Sequence, residues 1–339
     1  MVSPSAATGV SSGRARLAIF VAAAVLLPAL VSHLIPARRD FDPKPINQLR
    51  KQQPEVVMIG DSVLGGSINA ELFARETGLR SVKLLWNGGA ASAAWYLLLK
   101  NYVVAAEIHP QLVCIFFRER MLTDAAFRTN PTYRRFLESL RHQKEPVYRM
   151  VLQSDEENKS AVGRAIDWLY PLNTRRHVQQ EKISRFAFRG AAGGVSIGPL
   201  RRRVNEIFDP VKLREEIMNE SAELSGEAPE EFTADPNRNF LPHIVDAAKQ
   251  AGLKLCFVRE KRYPLPDGTT PQPEDIQRYT ADLRQWLESQ GCLFVDLTSN
   301  LTPDQSMYTK PGDDHIRKGA KDEATKIYAE KLRQLLRQP

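Results

Sequence analysis

Past residue 54 the apolar positions gather into short unbroken runs, and between these runs they recur every three to four residues. Residues 55–59 form the first run, closed by Gly60-Asp61-Ser62, and the stretch from there to Gly78 has helical periodicity. Residues 81–86 read as a second strand, followed by Asn87-Gly88-Gly89 and an Ala-rich helical segment over 90–106. A third strand is expected at 112–117. Regularity returns with a helix at 240–251 that stops at Gly252, a residue type favoured just past a helix end. A strand at 253–258, a helix at 276–289, a strand at 292–297 and a closing helix at 314–335 complete the series. Alternating strands and helices predict an α/β fold of three layers, α/β/α, around a parallel five-stranded sheet. Ligands of such sheets bind beyond the carboxyl ends of the strands.

Two regions depart from this rhythm. The segment at about 122–235 carries helix-like patches at 131–142 and 210–224, a Gly/Ala turn near 190–194 and an acidic stretch over 220–231, and is expected to be a mostly helical insertion. At the front, residues 17–35 read LAIFVAAAVLLPALVSHLI, 19 positions without a formal charge, enough to span a bilayer core. No convincing small-x-small cleavage site closes the run before Pro36, so it reads as an uncleaved transmembrane anchor, with a cleaved signal peptide as the alternative. Arg14 and Arg16 precede it and Arg38, Arg39 and Lys44 follow it, so charge does not orient it. The resulting division is a tail at 1–16, a span at 17–35, a Pro-rich tether at 36–53 and a globular α/β domain at 54–339.

A net charge of +7 would suit an anionic partner, but 40 acidic residues are mixed among the 47 basic ones, which describes a solvated surface of both signs. No zinc-finger spacing, aromatic-basic signature or long Lys/Arg block is present, and nucleic-acid binding is excluded on that ground. Cys114, Cys256 and Cys292 each lie in or beside an apolar run and are expected to be buried free thiols.

The chemistry sits at the strand ends. Gly60-Asp61-Ser62 places a hydroxyl where a strand turns into a helix, though the tripeptide alone also suits a helix cap. Asp313-Asp314-His315 stands before the last helix, and His315 is one of six histidines and the sole one with acids directly before it. A serine hydroxyl becomes a nucleophile when an imidazole takes its proton, and the imidazole needs a carboxylate to fix its tautomer. Asp313 or Asp314 can supply it. Arg259 and Glu260 close the fourth strand at the same sheet edge; both are candidate substrate contacts, with an ordinary surface ion pair as the alternative.

Together these residues resemble the SGNH, or GDSL, hydrolase family. Ile59-Gly60-Asp61-Ser62 is similar to its first block, Asn87-Gly88-Gly89 to its second, Pro110-Gln111-Leu112-Val113 to the lead-in of its third, and Asp313-x-His315 with Gly319 to its fifth. The resemblance covers about 54–119 and 240–335. It implies an SGNH, flavodoxin-like fold and a serine esterase or O-acyltransferase that needs no cofactor and no metal. Ser62 would be the nucleophile, His315 the base and Asp313 the orienting acid. The Ser62 and Gly89 N–H groups would form the oxyanion hole, and Asn87 would contact substrate.

Two positions differ from the common pattern. Arg120 stands where the third block brings its oxyanion Asn, and would have to donate in its place. The acid lies two residues before the histidine, whereas the commoner Asp-x-x-His spacing would fall on Gly312. Asp-x-His resembles the membrane-associated branch that O-acetylates bacterial polysaccharides such as alginate. That branch implies a domain facing the periplasm or cell exterior, an acylated glycan as substrate and cell-envelope polysaccharide machinery as partner. A non-catalytic assembly or carbohydrate-binding component is the alternative that Arg120 favours.

Overall fold

The computed structural model describes residues 41–86, 91–125, 137, 139–141, 145–152, 231–300 and 302–336, together with Ile19, Phe20, Ala22, Ala23, Leu26, Leu27, Ala29 and Leu30. The chain divides into two compact units, Met1–Arg39 with Asp155–Pro210, and Asp40–Ser154 with Val211–Pro339. In the first unit the eight described residues are helical, and Ile19, Phe20, Leu26, Leu27 and Leu30 are exposed. Among the described residues no helix is long and apolar enough to cross a membrane. Most of the span expected at 17–35 lies outside them, as does most of the insertion expected at 122–235.

The second unit is built on five parallel strands, β1 Val56–Gly60, β2 Ser81–Leu85, β3 Leu112–Phe117, β4 Leu255–Arg259 and β5 Leu293–Asp296, in the order β2-β1-β3-β4-β5. Every residue of β1, β3 and β4 is buried, which is why these strands read as continuous apolar runs rather than alternating ones. Alternate side chains feed two cores. Val57, Ile59, Val113, Ile115, Phe117, Leu255 and Phe257 face one side, where they join residues of α1 Lys44–Gln52, α4 Ser92–Leu98, α6 Leu241–Gln250 and α7 Glu274–Ser289. Val56, Met58, Cys114, Phe116, Cys256 and Val258 face the other, against α2 Ser62–Ser67, α3 Ala70–Thr77 and α8 Lys321–Leu336. Helix α5 Pro146–Leu152 adds Tyr148 and Val151 to the first core. The three cysteines are buried and unpaired.

The tether expected over 36–53 is helical from Lys44 onward. Pro45 falls in the first turn, where a missing N–H costs nothing, and Leu49 is fully buried. Arg50 then ties α1 to the carbonyls of Ala105 and Ala106 at 2.9 and 3.2 Å. The helix expected from Ser62 to Gly78 breaks at Ile68, and Asn69 caps α3 through the N–H groups of Glu71 and Leu72. Helix α8 begins seven residues later than the periodicity suggests, because residues 314–320 are drawn into the site loop and a short 3-10 turn.

Helix α8 also fastens the α2–α3 junction. Asn69 N–H donates to Thr325 Oγ1 at 2.8 Å, Lys321 Nζ to Gly65 O at 2.8 Å, and Asn69 Nδ2 to Asp322 Oδ1 at 3.1 Å.

Candidate active site

Strands β1 and β3 are neighbours in the sheet, yet the chain leaves β1 for β2 on one side and returns to β3 on the other. That reversal opens a crevice at the carboxyl edge. Ser62 follows β1 there, Arg118 follows β3 and Glu260 follows β4. Gly60 lets β1 meet α2 closely: a Cβ on it would lie 2.7 Å from Leu64 Cδ2, 2.9 Å from Leu64 Cβ and 3.2 Å from Phe116 Cβ. Asp61 is the N-cap of α2, its Oδ1 accepting from Val63 N–H at 2.8 Å, and this capped turn sets the position of Ser62.

Three predicted residues come together. His315 Nδ1 lies 2.6 Å from Asp313 Oδ1, and His315 Nε2 lies 2.8 Å from Ser62 Oγ. Asp313 also accepts from His315 N–H at 3.0 Å through Oδ1 and from Thr309 Oγ1 at 2.8 Å through Oδ2. Burial alone would raise the Asp313 carboxyl, but the bonds from His315 and Thr309 outweigh it and hold the group below its ordinary range. An ionised carboxylate can only accept, so the proton between the two side chains belongs to Nδ1. In a neutral imidazole Nε2 is then the acceptor, and the Ser62 hydroxyl donates to it.

Asp314 serves different partners. Its Oδ2 accepts from Arg118 Nη1 at 2.9 Å and its Oδ1 from Tyr263 N–H at 3.1 Å, with Arg262 Nε 3.4 Å from Oδ2. Arg118 Nη2 reaches back to Asp61 Oδ2 at 2.5 Å. The next residue, Glu119, has φ +44°, a left-handed conformation uncommon outside glycine. Beneath this group lies Glu260, only 1% exposed. Burial first and the Asp61 charge second push its carboxyl well above the ordinary value, against the opposing pull of Arg118.

Other predicted residues fare differently. Arg120 is ion-paired with Asp275 and lies over the Tyr279 ring, both on α7, so its charge is directed to that helix rather than to the relay. Arg259 is 2% exposed and bonds Gln272 Oε1 at 3.0 Å and Asp296 Oδ2 at 3.1 Å. Its pair with Asp296 is a buried one, where an ordinary surface ion pair was the expected alternative to substrate contact. Asn87 and Gly89 lie outside the described residues. Arg118 was not singled out from sequence; the available signal was an arginine directly after a fully buried strand at the ligand-binding edge. Among the described residues no group of three or more His, Cys, Asp or Glu side chains could hold a metal ion.

No family model and no curated protein matches the chain. Among solved structures, a Bacteroides fragilis NCTC 9343 protein assigned as an acylhydrolase is similar over 88% of this chain and 100% of its own, at 14% identity and a TM-score of 0.38. A GDSL-like lipase of Bacteroides thetaiotaomicron VPI-5482 is similar over 86% of this chain and 98% of its own, at 13% identity and a TM-score of 0.33.

Proposed function

We propose that the chain is a serine acyl-ester hydrolase or O-acyltransferase of the SGNH type. The observation that carries this reading is the continuous relay from Asp313 through His315 to Ser62, joined by contacts of 2.6 and 2.8 Å. Ser62 Oγ attacks the acyl carbonyl carbon while its proton passes to His315 Nε2. Asp313 stabilises the imidazolium that results. The tetrahedral oxyanion is met by the Ser62 N–H, which at the first helical position has no intrahelical acceptor, and the resemblance to the family's second block supports the Gly89 N–H as the other donor. Collapse breaks the bond to the leaving alcohol, which takes the proton from His315. Water or an acceptor hydroxyl then attacks the acyl-serine by the same steps in reverse, giving hydrolysis or transfer.

The reading extends to setting and substrate. The uncharged run at 17–35 supports a single membrane anchor, and the Asp313-x-His315 spacing supports an acyl, foremost acetyl, ester of an extracytoplasmic glycan as substrate. The domain at 54–339 would then act outside the cytoplasm beside polysaccharide machinery.

The test is reaction of the full-length protein with a serine-reactive phosphonate, followed by peptide mapping and an acetyl-ester assay. Label on Ser62, and turnover lowered by several orders of magnitude in Ser62→Ala with stability held within about 1 kcal/mol, is the expected result. Turnover retained in Ser62→Ala rules the nucleophile out. Quantitative release of the full-length chain from membranes by carbonate rules out the anchor.

A further inference from the structure

Nucleophile and base come from parts of the chain 253 residues apart, and their contact is a single hydrogen bond of 2.8 Å. The residue beside each of them is an aspartate engaged by the same guanidinium. Asp61 precedes Ser62 and gives one oxygen to cap α2, leaving the other for Arg118 Nη2. Asp314 precedes His315 and gives one oxygen to the Tyr263 backbone and the other to Arg118 Nη1. A planar fork with two fixed donors sets the separation of the two carboxylates.

We propose that Arg118 is a positioning residue, a latch that holds the Ser62 turn and the His315 loop at the distance at which the hydroxyl can pass its proton to the imidazole. This rests on the reading of Ser62 and His315 as nucleophile and base. The setting suits such a role. The Arg118 side chain is 15% exposed, and those of Asp61 and Asp314 are 4% and 13% exposed, so solvent screens the pairs little. Burial alone would lower the Arg118 group, but Asp61, Glu260 and Asp314 together hold it above its ordinary range. The left-handed turn at Glu119 separates Arg118, aimed into the crevice, from Arg120, aimed at α7. The Glu119 side chain meets Arg262 at 3.5 Å, and Arg262 also reaches Asp314, so the turn is tied to the same cluster. Arg118 meets neither Ser62 Oγ nor His315; it acts through their neighbours.

The experiment compares full-length wild type with Arg118→Met, Arg118→Lys and the double variant Arg118→Met/Asp314→Asn. It measures kcat and KM for an acetyl ester, thermal midpoints, and the low-field proton resonance of His315 Nδ1–H, assigned by its loss in His315→Gln. Arg118→Met is expected to lower kcat about a hundredfold, the cost of reacting groups displaced by about an ångström, with KM within about threefold. The His315 resonance should broaden or shift with it. Arg118→Lys should regain the thermal midpoint and not the kcat, since one ammonium cannot span both carboxylates. If Arg118→Met fails to fold, the lysine and double variants decide, the double variant having one fewer stranded charge. Wild-type kcat in folded Arg118→Met or Arg118→Lys, with an unmoved resonance, overturns the latch. A wild type that neither turns over ester nor labels at Ser62 overturns the esterase reading instead, and the resonance still decides whether Arg118 sets the contact.

Discussion

Asp313 and Asp314 are adjacent in the chain, yet their carboxylates serve different groups: Asp313 Oδ1 lies 2.6 Å from His315 Nδ1, and Asp314 Oδ2 lies 2.9 Å from Arg118 Nη1. Successive side chains leave the backbone in different directions, so the loop reaches the imidazole with one acid and the guanidinium with the other. Asp313→Asn should therefore lower kcat about 10⁴-fold, because an amide favours the wrong imidazole tautomer and cannot stabilise the imidazolium. Asp314→Asn keeps an acceptor for Arg118 and should cost about tenfold or less. Steady-state kinetics of both variants checks this, and a reversed order would make Asp314 the orienting acid.

Gly60→Ala should destabilise the fold by about 1–3 kcal/mol, the usual cost of forcing a methyl group into a packed contact. The added Cβ would meet Leu64 Cδ2 at 2.7 Å and press α2 away from β1, carrying Ser62 with it. Thermal denaturation and the rate of phosphonate labelling should fall together. An unchanged midpoint would mean that α2 shifts without cost.

Arg259→Met should lower stability by about 3 kcal/mol or more, since it strands the Asp296 carboxylate beside a buried apolar chain. Because Arg259 is an interior residue, KM of the folded fraction should stay at the wild-type value. A rise in KM at full stability would return Arg259 to the substrate.

Glu260 gives stability a pH dependence of known sign. Its folded value is raised well above the ordinary 4.5, so above about pH 4.5 the unfolded chain releases this proton before the folded one does. The contribution of the buried neutral acid is complete below 4.5 and is lost as pH rises toward and through the folded value. Denaturant titrations from pH 4 to 8 should show wild-type stability falling relative to Glu260→Gln, which does not titrate. Parallel curves would place an ionised Glu260 in the fold.

The sheet was readable because β1, β3 and β4 are buried throughout, and burial writes itself as an apolar run, closed by Gly60 in β1, by Arg118 after β3 and by Arg259 at the end of β4. Helix α1 was hidden because Pro43 and Pro45 signal a tether as strongly as they signal a helix start, and only the buried Leu49 distinguishes the two. Ser62, His315 and Asp313 stood out because a serine just after a strand and a histidine with acids directly before it form a recognisable chemical set. Arg118 and Arg120 are two residues apart and chemically alike. What separates them is the positive φ of Glu119, which spacing does not reveal. Arg259 lay at the correct edge, but its Gln272 and Asp296 partners come from distant segments that no local pattern connects to it.

The span of 253 residues between Ser62 and His315 also sets when activity can arise. At a synthesis rate of about 5–20 residues per second, the base is added about 10–50 s after the nucleophile. Strands β1 to β5 are all complete before His315 exists, and the helix that fastens the α2–α3 junction through Asn69 and Thr325 is made later still. A growing chain thus carries an unactivated serine for the 253 residues of synthesis that separate the two. On the proposed reading, ester chemistry begins only after the sheet that supports it has been made.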